Sequence, residues 1–403
     1  MTIREFRNLL PISLTVAVGF GMVVPVLPLF ARSFGVSIAA VGLVQLVFGF
    51  TRFSFGLVGG LFVDRFGERA STITGILIVA ASSYASGFAQ SFPQLVLARG
   101  FGGAGSALFI GGLMNRVLRI VPPEAMGRAT GIWRSSFLVG IGIGPLLGGV
   151  LRDRLGARAP FHIYATGLLV SAVIAWVVMG SRPEGVVEKR SPLEALRAAR
   201  PLLADVRYVV ALLATLVGWW TISGPAQSVG AIFAEEELDF SGTQIGTAIA
   251  LLSAGEIIVL FFAGRAADRY GRRAVLLPSL ALTAAATLLL GQTESASWAF
   301  FPIMVAIGGG VAAGGVAAGG LLADAIPRGG SGTAVGVNQM AGDLGYMLAP
   351  AVIGGVAEGP GFGAAYLVGA VPATLALLVA FRLPSSAGRP APDLAVEPAE
   401  PVG

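Results

Sequence analysis

Five ionisable side chains stand deep inside long apolar runs of this 403-residue sequence: Arg52, Arg99, Arg134, Glu256 and Asp343. A charge held in hydrocarbon costs at least ~2.5 kcal/mol, so such residues face a protein interior and are functional candidates by default. The chemistry open to them is ion pairing and proton exchange. Protonating the acid of a pair weakens the pair, which links a proton to a change of shape. The three bases lie in the first half of the chain and the two acids in the second. Arg52 and Glu256 each precede an Asp-Arg step, Asp64-Arg65 and Asp268-Arg269, by twelve residues. That is about 18 Å of helix at 1.5 Å per residue, close to the middle of a bilayer. Asp343 sits at similar depth, and Arg134 nearer one surface.

Such charges need helices that cross a membrane to hold them. Hydrophobic residues make up 55% of the chain and charged ones 12%, about half the charged share of a soluble domain. The apolar runs are roughly 20 residues long, enough to cross the ~30 Å hydrocarbon core as helices. The short alternating segments of a membrane β-barrel are absent. There is no cysteine, which excludes disulfides and thiol chemistry. The one histidine, His162, falls in or beside a short loop and reads as a loop residue rather than a proton carrier. Topology accounts for the loop bases behind the net charge of +5, so no nucleic-acid partner is expected. With one histidine and no paired loop carboxylates, the chain does not read as an enzyme. No metal or cofactor is expected either.

Twelve spans are predicted, near 9–31, 39–62, 72–90, 93–118, 129–151 and 160–180, then 208–232, 243–264, 274–292, 298–323, 332–356 and 364–383. The first is too long for a signal-peptide core and reads as a retained helix. These spans define a first six-helix bundle over 1–180, a polar linker over 181–207, a second bundle over 208–384 and a disordered tail over 385–403. Bases concentrate in the loops after the even-numbered spans: Arg65, Arg69, Arg119, Arg128, Arg182, Arg265, Arg269, Arg272, Arg273 and Arg328. That bias places both termini in the cytoplasm of a cell's inner membrane. The loop after span five is the main exception, with Arg152, Arg154 and Arg158. The loop after span seven is acidic, with Glu235, Glu236, Glu237 and Asp239.

The halves repeat. Gly60-Leu-Phe-Val-Asp-Arg-Phe-Gly-Glu-Arg69 returns as Gly264-Arg-Ala-Ala-Asp-Arg-Tyr-Gly-Arg-Arg273, a shift of 204. Pro145 returns as Pro350, a shift of 205. Parallel repeats of this size are a known transporter plan. Within each charged turn, Gly67 or Gly271 permits a tight bend. Asp64 and Asp268 can accept hydrogen bonds from a helix N-terminus. Gly60, Arg65, Arg69, Gly264, Arg269, Arg272 and Arg273 complete the two copies. They read as a conformational latch, or as bases that only set topology. Span five holds Gly140-Ile-Gly-Ile-Gly-Pro-Leu-Leu-Gly-Gly149. Its Gly140, Gly144, Gly148 and Gly149 allow close helix packing in lipid, and Pro145 bends the helix.

On these motifs the chain resembles the major facilitator superfamily, most like its twelve-helix drug:proton antiporters, over nearly its whole length to Pro384. The turn matches the family's Gly-x-x-x-Asp-Arg-x-Gly-x-Arg, with Glu68 where the family usually has a base. The span-five pattern is similar to that of exporters. Pro25-Val-Leu-Pro28 resembles a first-span signature, and Arg99-Gly-Phe-Gly-Gly-Ala-Gly105 a fourth-span signature of proton-coupled members.

The resemblance implies an all-α membrane protein of twelve helices in two pseudo-symmetric six-helix bundles. It further implies that spans two and eleven meet between the bundles, as do five and eight. Arg52 could then approach Asp343, and Arg134 could approach Glu256. The implied function is proton-coupled export of small drug-like molecules by alternating access, with Glu256 and Asp343 as carriers and Arg52, Arg99 and Arg134 beside them. A sugar, organic-anion or metabolite permease is the alternative. Arg99 could tune an acid, hold an anionic group, or snorkel to the surface. Trp219, Trp220, Gln227, Asn338, Gln339 and Tyr346 are polar or aromatic residues that could line the cavity. Expected partners are the substrate, protons and membrane lipid, with the chain as a monomer.

Overall fold

Backbone polar groups in hydrocarbon must be satisfied within the chain, and here helices do this. The structure, a computed structural model, describes residues 3–121, 126–179, 200–326 and 331–384. Within its helices the side chains of 3–8, 57–61, 64, 118–119, 126–131, 133–135 and 331–333 lie outside the described residues. Among the described residues, twelve helices are long and apolar enough to cross a membrane. They are α1 Leu9–Arg32, α2 Ile38–Gly56, α3 Arg65–Phe88, α4 Phe92–Val117, α5 Ser136–Leu155, α6 Ala159–Val178, α7 Val206–Glu236, α8 Gly242–Tyr270, α9 Arg272–Leu290, α10 Ser297–Ala325, α11 Ala334–Glu358 and α12 Phe362–Ala380. The first six form one bundle and the last six the other.

The repeat read in the sequence is present in the backbone. Gly67 (φ 82°, ψ 166°) separates α2 from α3, and Gly271 (φ 92°, ψ 155°) separates α8 from α9. Both lie in a region that only glycine occupies readily. The charged turn is therefore narrower than the spans suggested. Helical backbone runs unbroken through Asp64 to Phe66, and the bend is a single residue. Ser37 and Ser241 cap the second helix of each bundle, accepting from the N–H of Ala40 (3.1 Å) and Gln244 (3.3 Å). Their side chains satisfy donors that the helix start leaves free.

Lipid tails offer helices no hydrophobic drive to associate, so close packing of small residues does that work. The chain carries 58 glycines. A Cβ on Gly140 would stand 2.6 Å from Ala17 Cβ, and one on Gly144 would stand 2.7 Å from Gly21 Cα. One on Gly148 would strike the backbone of Met22. These three glycines set α5 against α1. Interior hydroxyls satisfy themselves on nearby carbonyls, as Thr283 does on Ser279 (2.8 Å) and Thr287 on Thr283 (2.8 Å). Others tie helices together, as Thr51 Oγ1 does on the Gly100 carbonyl (2.7 Å) and Ser71 on that of Leu108 (3.1 Å).

Two local features differ from the sequence reading. His162 lies in the first turn of α6, its ring tilted against Phe88 (4.5 Å) and stacked on Tyr84 (5.9 Å), just past the loop and not in it. α7 is not one regular helix. Residues Ile222–Ser228 form a π-helical segment around Gly224 and Pro225. Proline cannot donate to the regular ladder, and Gly224 lets Ala349 and Ile353 of α11 approach. Most of the linker and the tail, with Gly60, Asp64, Arg119, Arg128, Arg134, Arg182 and Arg328, lie outside the described residues or side chains.

Candidate functional site

The seam between the bundles is built by α2 on α11 and by α5 on α8. A Cβ on Gly354 would stand 2.7 Å from the Ile38 carbonyl, and one on Gly49 would stand 3.2 Å from Met347 Cγ. Gly149 meets the Gly242 carbonyl, and Gly246 meets the Pro145 carbonyl. The span-five motif thus has two faces, one on α1 within its bundle and one on α8 across the seam.

Polar contacts between the bundles gather at the end away from the charged turns. Arg32 Nε donates to Glu236 Oε1 at 2.7 Å. Arg152 donates to Glu235. Asp153 caps α8, with Oδ1 accepting from Gly242 N–H (2.9 Å) and Oδ2 from Thr243 N–H (2.8 Å) and Oγ1 (2.6 Å). Glu358 Oε2 accepts from Ile38 N–H at 2.7 Å, at the start of α2. A carboxylate at a helix N-terminus meets both free donors and the positive end of the helix dipole.

At the charged-turn end several polar contacts lie within one bundle. Arg69 donates to the Trp176 carbonyl (2.6 Å) and Arg273 to that of Phe381 (3.2 Å). Arg65 lies over the Phe66 ring (5.5 Å) and Arg269 over Tyr270 (5.3 Å). Arg272 pairs with Asp268 (2.9 Å) and Asp324 (3.6 Å). Glu68, the odd residue of the first copy, pairs with Arg116 at 3.8 Å. Glu68 and Arg272 are equivalent positions of the two repeats, an acid in the first and a base in the second. A Cβ on Gly264 would meet nothing.

Midway along the seam, α2, α4, α7 and α11 bring several predicted residues together. Tyr346 lies within electrostatic reach of Arg99, Arg52 and Asp343, and its ring stands edge-on to Trp219 at 6.0 Å. Asp343 accepts from Gln339 Nε2 at 3.3 Å. Arg52 and Asp343 form no ion pair among the described residues. Arg99 is 4% exposed, so it does not snorkel, and its guanidinium lies 5.1 Å from the Phe48 ring centre. Glu256 stands apart, on α8 against Gly308 of α10, with no hydrogen bond or ion pair among the described residues. The side chain of Arg134 lies outside them.

The remaining cavity candidates are held within the second bundle. Trp220 Nε1 donates to the Gly369 carbonyl (3.1 Å), and Asn338 Oδ1 accepts from Thr215 (2.9 Å). Gln227 is buried in the π-helical segment. The sequence reading missed Arg32, Asp153 and Glu358, and took Arg152 only as an exception to the charge bias and Glu235 and Glu236 only as part of an acidic loop. The repeat offset applied to Arg32 would have pointed to Glu236.

The sequence profile of the Major Facilitator Superfamily matches residues 9–231 and 226–402. The chain belongs to this family. Among curated relatives, Multidrug resistance protein 1 of Bacillus subtilis is 26% identical over 257 residues, 63% of this chain and 64% of that protein. Quinolone resistance protein NorA of Staphylococcus aureus is 23% identical over 235 residues, 57% of this chain and 58% of that protein. The matches thus span less than two thirds of each of these relatives. A bacterial homologue of the human lysosomal transporter Spinster, inward-facing and occupied, superposes with a TM-score of 0.77 at 19% identity. That superposition covers 93% of this chain and 95% of the other, and it shows the fold. With twelve apolar helices in this fold, the family member is a multi-pass membrane protein.

Proposed function

We propose that this superfamily member is a proton-coupled exporter of small drug-like molecules that works by alternating access. One observation carries the reading: among the described residues, the polar contacts found between the bundles lie at one end, while Arg272 and Arg273 at the other end bind within their own bundle. A pair of bundles closed at one mouth and unlatched at the other is one half of a rocking cycle. The moving bodies are residues 1–180 and 208–384, joined by 181–207. Lys and Arg bias sets the charged turns and both termini in the cytoplasm of the inner membrane, so the unlatched mouth faces inward. The charged turns then serve as the latch of the opposite state. Drug-like substrates are supported by the two multidrug and quinolone resistance relatives and by the aromatic residues at the seam. The protein acts as a carrier rather than an enzyme, as a monomer, in contact with lipid.

Glu256 and Asp343 are the proton carriers in this reading. Each lies at a helix pair that the seam brings together. Reconstituted protein should move compounds from a drug-like panel when a pH gradient is imposed. Glu256→Gln or Asp343→Asn should reduce that flux while sparing protein yield and monodispersity. If both variants transport like the parent, neither acid carries the proton.

A further inference from the structure

Arg99 presents a chemical need that the described protein does not meet. It is 4% exposed, and its Nε has no hydrogen-bond partner. No described carboxylate lies within ion-pair distance. The Phe48 ring lies 5.1 Å away, with Tyr164 and Tyr346 within electrostatic reach, and a cation over a ring face leaves the in-plane N–H donors unused. A buried charge without a counter-charge costs several kcal/mol. A guanidinium is also the side chain whose fork matches a carboxylate with two parallel hydrogen bonds.

The surroundings are built to keep it there. Gly103 brings α4 so close to α2 that a Cβ would stand 3.0 Å from the Arg52 nitrogen. Thr51 Oγ1 fastens α2 to the Gly100 carbonyl at 2.7 Å. Tyr346 comes from the other bundle and feels both Arg99 and Arg52. Its ring stands edge-on to Trp219, at 83° between planes. Asp343 is the acid within the same reach. Two guanidinium groups and one carboxylate therefore lie within electrostatic reach of Tyr346, among aromatic rings from both bundles.

Resting on the export reading, we infer that the substrate carries an ionised acid group beside a flat apolar ring, and that Arg99 binds the acid. Phe48, Tyr346 and Trp219 flank the ring, and Arg52 adds positive charge. Asp343, while ionised, opposes the bound anion, so its protonation favours binding. This site spans the seam, so it can be offered to either mouth.

The test uses a matched pair of probes, 1-naphthylacetate and 1-naphthylmethylammonium, which differ in the sign of their charge. Binding to full-length protein in lipid nanodiscs is measured by equilibrium dialysis at neutral pH, corrected with empty nanodiscs. The acid should bind about tenfold or more tightly than the amine, a ratio that one desolvated charge contact can supply. Arg99→Gln should abolish that preference by weakening acid binding alone, and Arg99→Lys should restore part of it. Equal or tighter binding of the amine, no binding of the acid, or a preference unchanged in Arg99→Gln would overturn the site. If Arg99→Gln does not yield monodisperse protein, the parent ratio decides alone. Proton-driven flux of the acid into proteoliposomes is a separate readout. Preference for the acid without such flux upholds the site and overturns the export reading.

Discussion

Arg32 and Glu236 occupy equivalent ends of α1 and α7, 204 residues apart, and their side chains meet at 2.7 Å across the seam. The pair therefore lies beside the pseudo-twofold axis that relates the bundles. The caps around it obey the same symmetry. Asp153, at the end of α5, caps α8 of the second bundle, and Glu358, 205 residues later, caps α2 of the first. Each bundle thus gives a carboxylate to a helix start of the other. Arg152, one of the loop bases that broke the charge bias, forms part of this closure with Glu235.

Loss of a cap should favour opening at that end. Asp153 accepts three hydrogen bonds across the seam. Asp153→Ala should raise the population open there by about tenfold or more, or ~1.4 kcal/mol at least, close to the lower value for a hydrogen bond to a charged group. The chain has no cysteine, so spin labels on Gln90→Cys and Gln292→Cys report the spacing of the bundles without background. A longer-distance component should grow in Asp153→Ala and, by symmetry, in Glu358→Ala. Distance distributions identical to the parent's would remove the caps from the gate.

The two faces of the span-five motif should separate by experiment. A Cβ on Gly148 strikes Met22 inside the first bundle, while one on Gly149 strikes the Gly242 carbonyl across the seam. Overpacking typically costs about 1–3 kcal/mol. Gly148→Ala should lower the thermal unfolding midpoint and leave the label spacing unchanged. Gly149→Ala should lengthen the spacing with a smaller loss of stability. Identical behaviour of the two variants would contradict this division.

The bends at Gly67 and Gly271 predict a backbone effect. Their φ values of 82° and 92° are strained for any other residue, by about 1–3 kcal/mol. Gly67→Ala and Gly271→Ala should each destabilise the protein by that amount, read by thermal unfolding in detergent. By contrast, Gly264→Ala meets open space and should be near neutral. A large loss in Gly264→Ala, or none in the other two, would contradict the assignment.

Spans and repeat were legible because hydropathy and glycine-bounded charged turns are local signals. Twelve runs gave twelve helices, and the shift of 204 between Asp64 and Asp268 returned in the φ angles of Gly67 and Gly271. Contacts across the seam were not legible. Arg152 and Glu235 are each unremarkable in a loop, and only the fold makes them neighbours. The π-helical segment at Ile222–Ser228 also escaped, because Gly224-Pro225 in an apolar run reads equally well as a kink. At the centre, the sequence supplied Arg99 but not its surroundings. Its proximity to Tyr346 depends on how α4 and α11 approach, and no spacing along the chain encodes that.

The central claim is that opening and closing of the Arg32–Glu236 end is obligatory for transport. Cysteines at both positions, joined by a reversible bis-methanethiosulfonate cross-linker, test it directly in proteoliposomes. The account predicts that pH-driven flux stops when the link is in place and returns on reduction, while each single-cysteine variant treated alike keeps its flux. Full flux through a protein shown to be cross-linked would contradict it.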